Sequence, residues 1–294
     1  MISKISNILV TGAKGQLGLD CVGELAHRGY SNVLGVDIGE LDITDEDAVH
    51  KLINEYKPYV VIHNAAWTAV DKAEQNPELV YKVNALGTKY IAEACRDVGA
   101  AMIYVSTDYV FSGAGNKPFE TNDPKDGLSS YGKSKSQGED FVKNTLDRYF
   151  IIRISWAFGL NGNNFVKTML RLAKSGKKEL NVVNDQIGSP TYTYDLAKLL
   201  VDMISTEKYG TYHATNQGCC SWSDFAKEIF KQAKLDVVVN PVSTEAYAKL
   251  VPEQARRPLN SRLSKKSLMD AGFKPLPKWE DALFRYIKEL EKNE

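Results

Sequence analysis

Five short apolar runs punctuate the first 155 residues: NILVTG (7–12), NVLGVD (32–37), YVVIHNA (59–65), AMIYVST (101–107) and FIIRIS (150–155). Each is rich in Val and Ile and nearly continuous in apolar character, as expected of strands covered on both faces. Longer amphipathic segments separate them, and a chain that re-enters a sheet in the same direction needs a crossover of that kind. The pattern therefore predicts a doubly wound α/β fold with a Rossmann-type parallel sheet. After Ser155 the rhythm loosens into Asn- and Gly-rich turns, helical stretches at FVKTMLRLAKSG and TYDLAKLLVDMI, a strand-like GTYHAT and a closing helix from about Trp279. We expect the sheet domain to occupy residues 1–154, completed by parts of 190–220, and a smaller interleaved lobe to occupy 155–294.

Lys and Arg together number 37, and Asp and Glu also 37. No long-range field then draws the chain to nucleic acid or to an anionic membrane, and any bound anion must be held by local groups. Cys21, Cys95, Cys219 and Cys220 lack paired metal-ligand spacing, and adjacent cysteines are poorly shaped for a disulfide. The histidines are scattered, so no metal is expected. The apolar run near the start is too short for a secretion signal, and none approaches the length of a membrane span. A soluble, cytoplasmic protein with reduced thiols is the expectation.

In LVTGAKGQLGLD the glycines Gly12, Gly15 and Gly18 follow the first strand and open the first helix. Glycines there allow a sharp turn, close approach to a pyrophosphate, and helix amides aimed at the anion. The spacing is GxxGxxG, and a tight turn for strand–helix packing would use the same residues. The second strand ends in Asp37, whose carboxylate could accept from adenosine ribose hydroxyls and would repel a 2′-phosphate. Lys14 inside the loop pulls the other way. The choice between NADH and NADPH stays open.

SSYGKSKSQGEDFV places Tyr131 and Lys135 four residues apart, on one face if the segment is helical. A tyrosine with a pKa near 10 becomes a more useful acid when a neighbouring ammonium stabilises its phenolate. Lys135 is expected to do this while donating to a nicotinamide ribose. Ser106, Thr107 and Asp108 lie where the fourth strand ends, the edge beyond which ligands sit in open α/β sheets. A hydroxyl there can bond the oxygen on which charge develops.

Together, TGAKGQLG, HNAAW, STDYVFSG and YGKSK resemble the extended short-chain dehydrogenase/reductase superfamily. Within it, GQLG, NAAWTAVDKAE, STDYVF, YGKSK, ISWAFG, QIGSPTYTYDLA and RRPLNSRL are similar to the dTDP-4-dehydrorhamnose reductase family over nearly the full chain. The resemblance implies reduction of the C4 ketone of dTDP-4-dehydro-β-L-rhamnose by NADPH or NADH, to make dTDP-L-rhamnose for polysaccharide synthesis. It makes Tyr131 the proton donor, Lys135 its partner and Thr107 the hydroxyl at the carbonyl oxygen. Gly15, Gln16 and Leu17 would meet the pyrophosphate, with Gly12 and Gly18 completing the loop. Asp37, Asp42 and Ile43 would lie near the adenosine, and Ala66, Trp67 and Thr68 would line the cofactor cleft. Asp108, Tyr109 and Trp156 would face the sugar, and Arg257 in the RRPLNS segment its pyrophosphate. Tyr109 stands where related dehydratases carry an acid, which implies reduction and not elimination. The glutamates that bind Mg²⁺ in some members are not reproduced, and a homodimer is implied by the family only. Two alternatives remain: a non-catalytic nucleotide-binding regulatory subunit, as in methionine adenosyltransferase, and a reductase of a related nucleotide 4-keto sugar.

Overall fold

The computed structural model describes residues 2–251 and 254–292. All five apolar runs become strands, within two residues of their expected limits: β1 (Ile8–Thr11), β2 (Val33–Val36), β3 (Val60–His63), β4 (Ala101–Thr107) and β5 (Tyr149–Ile154). They lie parallel in the order β2-β1-β3-β4-β5, and Gly210–His213 adds a sixth parallel strand beside β5.

Side chains alternate between two cores, as a period of two requires. Ile8, Val10, Ile62, Ile103 and Ile152 pack on one face against helix α1 (Gln16–His27) and the helix Thr193–Met203. Leu9, Val61, Met102, Tyr104 and Ile151 pack on the other, against α2 (Glu46–Tyr56), α5 (Gly87–Val98) and α6 (Ser130–Thr145). Covering on both faces is why the strands read as unbroken apolar runs. Between α2 and α5 the chain forms two short helices, α3 (Val70–Gln75) and α4 (Pro77–Tyr81), then a π-helical turn at Lys82–Leu86.

From β1 the chain moves outward to β2, then returns past β1 to build β3, β4 and β5 on the other side. That reversal opens a crevice at the carboxyl ends of β1 and β3. The opposite wall comes from the later residues. There the helices Phe165–Lys174, Trp222–Gln232 and Trp279–Lys292 close on a parallel pair, Glu179–Val183 with Val238–Val242. Phe158, Tyr192, Phe225, Trp279 and Tyr286 form the aromatic centre of this core. Ala157–Phe158 pairs with Thr191–Tyr192, and Ile187–Gly188 lies between Cys220–Ser221 and Asn260–Ser261. Among the described residues no helix is long and apolar enough to cross a membrane.

Candidate active site

A cleft of about 660 Å³ runs along the carboxyl edge of the sheet. Its floor is the glycine turn after β1. Gly12 has φ +64°, and a side chain at Gly18 would begin 2.0 Å from the Gly12 carbonyl oxygen, so only glycine closes this turn. Helix α1 starts at Gln16 with Gly15 as a cap that supplies no side chain, leaving the first amides directed at the cleft. Gly12, Gly15, Gln16, Leu17 and Gly18 all line it, as do Asp37, Asp42 and Ile43 at the end nearest β2.

At that end the carboxylate of Asp37 accepts from the backbone N–H of Lys14 (3.0 Å) and of Ile38 (2.9 Å). The Lys14 ammonium pairs with Glu40 at 2.5 Å, so the cation in the loop is already neutralised. Asp42 is held below the usual carboxylate range by the N–H and hydroxyl of Thr44. Both polar atoms of the Asn64 side chain, at the exit from β3, are buried without a hydrogen-bond partner. Orphaned amide atoms beside an open glycine cradle fit a dinucleotide, which brings donors and acceptors of its own.

The strip Ala66, Trp67 and Thr68 lines the next part of the cleft. It is held by Asn84, which accepts from the Trp67 N–H at 2.7 Å and donates to the Trp67 carbonyl at 3.1 Å and to Ser134 Oγ at 3.1 Å. Asn84 is fully buried in the π-helical turn, a helical irregularity often found at functional sites.

Helix α6 brings Tyr131 and Lys135 into the same space. Its first turn is fixed by Ser129, whose hydroxyl accepts from the Gly132 N–H at 3.1 Å. Thr107 reaches the site from the end of β4 and donates to Asp108 at 3.1 Å. Burial pushes the Tyr131 phenol up to about 12, while a hydrogen bond with Thr107 pulls it down and the nearby Asp108 adds to the rise. Lys135 is not among the groups that shift it: burial lowers that ammonium so far that it gives up its proton before the phenol does, so the expected acidification is absent and the phenol stays protonated at neutral pH. Burial lowers the Lys135 ammonium to about 7, with Glu139 opposing. Asp108 is raised by burial to about 6, and its Oδ2 has no partner. Tyr109 packs edge-on against Tyr131, ring centroids 5.6 Å apart, and burial raises its phenol.

Trp156 has φ +50°, a left-handed conformation that is strained for a bulky residue. This turn lays its indole in the cleft wall, stacked on Trp222 at 3.7 Å between centroids. Trp222 is anchored in turn by its N–H to Gln186 at 3.2 Å. Arg257 lies outside the cleft lining: its Nη2 donates to both oxygens of Asp71 at 2.9 Å, and its Nη1 is buried without a partner. Among the described residues, Glu46, His50 and Glu93 have ligand atoms within 4.8 Å of one another, but they lie on α2 and α5, away from the cleft.

Sequence reasoning did not find the groups that hold these side chains. Arg153 interrupts the apolar run of β5, and a charge inside a buried strand must be paired, so that signal was present. Its partner is Glu139, one helical turn after Lys135, which accepts from Arg153 Nε at 2.8 Å and Nη2 at 2.7 Å and from Ser106 Oγ at 2.7 Å. Asn84, Gln186 and Trp222 carry no local signal, because their partners are distant in the chain.

The family model described as "RmlD substrate binding domain" matches residues 6–292. The spore coat polysaccharide biosynthesis protein SpsK of Bacillus subtilis is 41% identical over 97% of this chain and 98% of its own length. A dTDP-4-dehydrorhamnose reductase of Aggregatibacter actinomycetemcomitans is 42% identical over 95% of this chain and 97% of its own. The crystal structure of dTDP-4-dehydrorhamnose reductase from Bacillus anthracis in complex with NADP superimposes with a TM-score of 0.92 at 43% identity, covering 97% of this chain and 99% of that one.

Proposed function

The chain belongs to the RmlD substrate binding domain family, and on that footing we propose that it is an NAD(P)H-dependent oxidoreductase that converts dTDP-4-dehydro-β-L-rhamnose into dTDP-L-rhamnose. One observation carries this reading: a hydroxyl from β4, a protonated phenol and a buried ammonium from α6 share one cleft with a glycine cradle shaped for a pyrophosphate. The names of the relatives and the NADP in the Bacillus anthracis structure support the substrate and the cofactor.

When bound, the nicotinamide supplies hydride to the C4 carbon. Gly12, Gly15, Gln16, Leu17 and Gly18 hold the pyrophosphate. Asp37, Asp42 and Ile43 border the adenosine, and Ala66, Trp67 and Thr68 border the rest of the dinucleotide. Thr107 turns its one hydroxyl proton from Asp108 to the ketone oxygen and fixes its position. Tyr131 holds the proton for that oxygen, and its raised pKa keeps the proton in place until the oxygen becomes basic enough to take it. Lys135 donates to the ribose and offsets the charge left on the phenol. Asp108 and Tyr109 border the sugar, with Trp156 as the surface against which it packs. Tyr109 offers no carboxylate for elimination, so the chemistry stops at the alcohol. Arg257, already oriented by Asp71, lies with its unpartnered Nη1 as the candidate contact for the outer end of the nucleotide diphosphate.

In this reading residues 1–154, with the helix and strand inside 190–220, bind the cofactor, and the remainder of 155–294 binds the sugar nucleotide. The reaction takes place in the cytoplasm. Incubating the protein with the dTDP-4-keto sugar and NADPH or NADH should consume nicotinamide absorbance in step with formation of dTDP-L-rhamnose. No turnover with either cofactor overturns the assignment.

A further inference from the structure

Lys135 is 3% exposed, yet its ammonium makes no hydrogen bond or ion pair with any described residue. The carboxylate nearest in sequence is Glu139 on the next turn of α6, and its oxygens are taken by Arg153 and Ser106, with Lys125 at 3.6 Å. His63, from β3, bonds Thr11 at 2.7 Å and Thr88 at 3.1 Å, and burial holds its pKa down at about 3, so it is neutral. Tyr131, on the same helix, is protonated. The remaining group is Tyr104 on β4: Lys135 Nζ stands 4.1 Å from the centroid of its ring.

Tyr104 is built into that place. It is fully buried, its hydroxyl donates to the Lys135 carbonyl at 3.2 Å, and His63 stacks on its ring at 5.8 Å. Gly138 makes room for it, since a side chain there would begin 2.3 Å from the Tyr104 hydroxyl. An aromatic face attracts a cation without accepting its N–H groups in fixed directions, whereas a carboxylate would take them.

We propose that Tyr104 is a positioning residue for Lys135: its ring seats the buried ammonium and leaves the N–H donors directed at the cleft for the cofactor. The inference rests on the proposed role of Lys135 for its functional meaning, but the seat itself is testable without turnover. Because the ring favours the charged form, weakening it must lower the pH at which Lys135 loses its proton. The opposing and supporting charges around it, Glu139 with Arg153 and Lys125, stay in place.

The test compares wild type, Tyr104→Phe, Tyr104→Leu and a protein carrying 3,4,5-trifluorophenylalanine at position 104, which keeps the ring's shape and depletes its face of electrons. Lys135 is followed by carbon NMR of labelled lysine in the cofactor-free protein, with its resonance assigned by loss in Lys135→Met. Tyr104→Phe should titrate like wild type, and the trifluorinated ring and Tyr104→Leu should titrate lower by about one pH unit. The alkaline limb of the kcat/KM profile should move down with them. Equal titration of Lys135 in Tyr104→Phe and in the trifluorinated protein overturns the proposal, even if Tyr104→Leu does not fold. A protein that shows the shift but reduces no keto sugar retains the seat and loses the functional reading.

Discussion

The wall of the cleft made by the first 155 residues and the wall made by the later ones are put together differently. On the first, the backbone turns follow from short-range features, a strand end, glycines and a serine cap whose hydroxyl accepts an N–H three residues on, with Asn84 adding longer ties to Trp67 and Ser134. On the second, Trp156 is placed by Trp222, which depends on Gln186 36 residues earlier, and Arg257, outside the cleft lining, is held by Asp71 across 186 residues. The difference separates chemistry from selection. In the proposed function, the groups that handle cofactor and proton sit on a sheet that any member of the fold must build. The groups it assigns to the sugar nucleotide rest on tertiary contacts that can change without altering the sheet.

The largest expected effect tests the first wall. Tyr131→Phe removes one hydroxyl from a residue whose backbone is fixed by α6, so folding and cofactor affinity should be unchanged. Reduction should fall by roughly two to four orders of magnitude, measured as kcat/KM. Near-normal turnover would remove Tyr131 from the proton path. Close behind is Glu139→Gln, which leaves Arg153 charged, buried and half-partnered, at a cost of about 3–5 kcal/mol in denaturant unfolding. An unchanged midpoint would show that the pair does not hold the first wall together.

Lys135 separates function from stability on that same wall. Its ammonium is lowered to about 7 by burial. A depressed folded-state pKa means stability from this group is present above the unfolded value, near 10.5, and lost as pH falls through about 7. Lys135→Met should therefore abolish reduction yet stabilise the cofactor-free protein by roughly 1–2 kcal/mol at pH 6. That gain should shrink as pH rises from 7 towards 10. A destabilised variant at pH 6 would contradict the penalty assigned to the buried charge.

How much of this could be read beforehand follows from the same contrast. The strands were legible because two-sided burial leaves an uninterrupted apolar run, and Gly12, Gly15 and Gly18 because a tight strand–helix turn excludes larger residues. Tyr131, Lys135 and Thr107 were legible as neighbours in one cleft, since strand order and helical spacing bring them to one edge. Their electrostatics were not. Whether Lys135 acidifies Tyr131 depends on how deeply each is buried, and burial discharges Lys135 before Tyr131 ionises. Arg257 was read as an anion ligand from the resemblance of the RRPLNS segment to its family, and nothing local to it announces Asp71.

The second wall should answer more gently. Trp222→Leu removes the backing of Trp156, whose strained backbone then has less to hold it. The sugar-nucleotide KM should rise roughly fivefold while NADPH affinity stays constant, because stacked aromatic pairs contribute at about that level. Equal weakening of both ligands would mean that the two walls are not independent.

The smallest effect lies at the far end of the first wall, where the proposed function places the adenosine beside three charges. Asp37 is fixed by the backbone N–H groups of Lys14 and Ile38, and Glu40 both neutralises Lys14 and accepts from the Asp37 N–H at 3.0 Å. Exposed pairs of this kind contribute little, so neither cofactor is strongly excluded. Glu40→Gln removes one negative charge and releases the Lys14 ammonium beside the position of a 2′-phosphate. The ratio of NADPH to NADH affinity, measured by direct binding, should rise roughly two- to fivefold, and more at low salt than at high salt. Adding Lys14→Met to that variant should return most of the gain if the released ammonium supplies it. If the ratio stays high without Lys14, loss of the Glu40 charge alone is responsible, and Lys14 has no part in reading the cofactor.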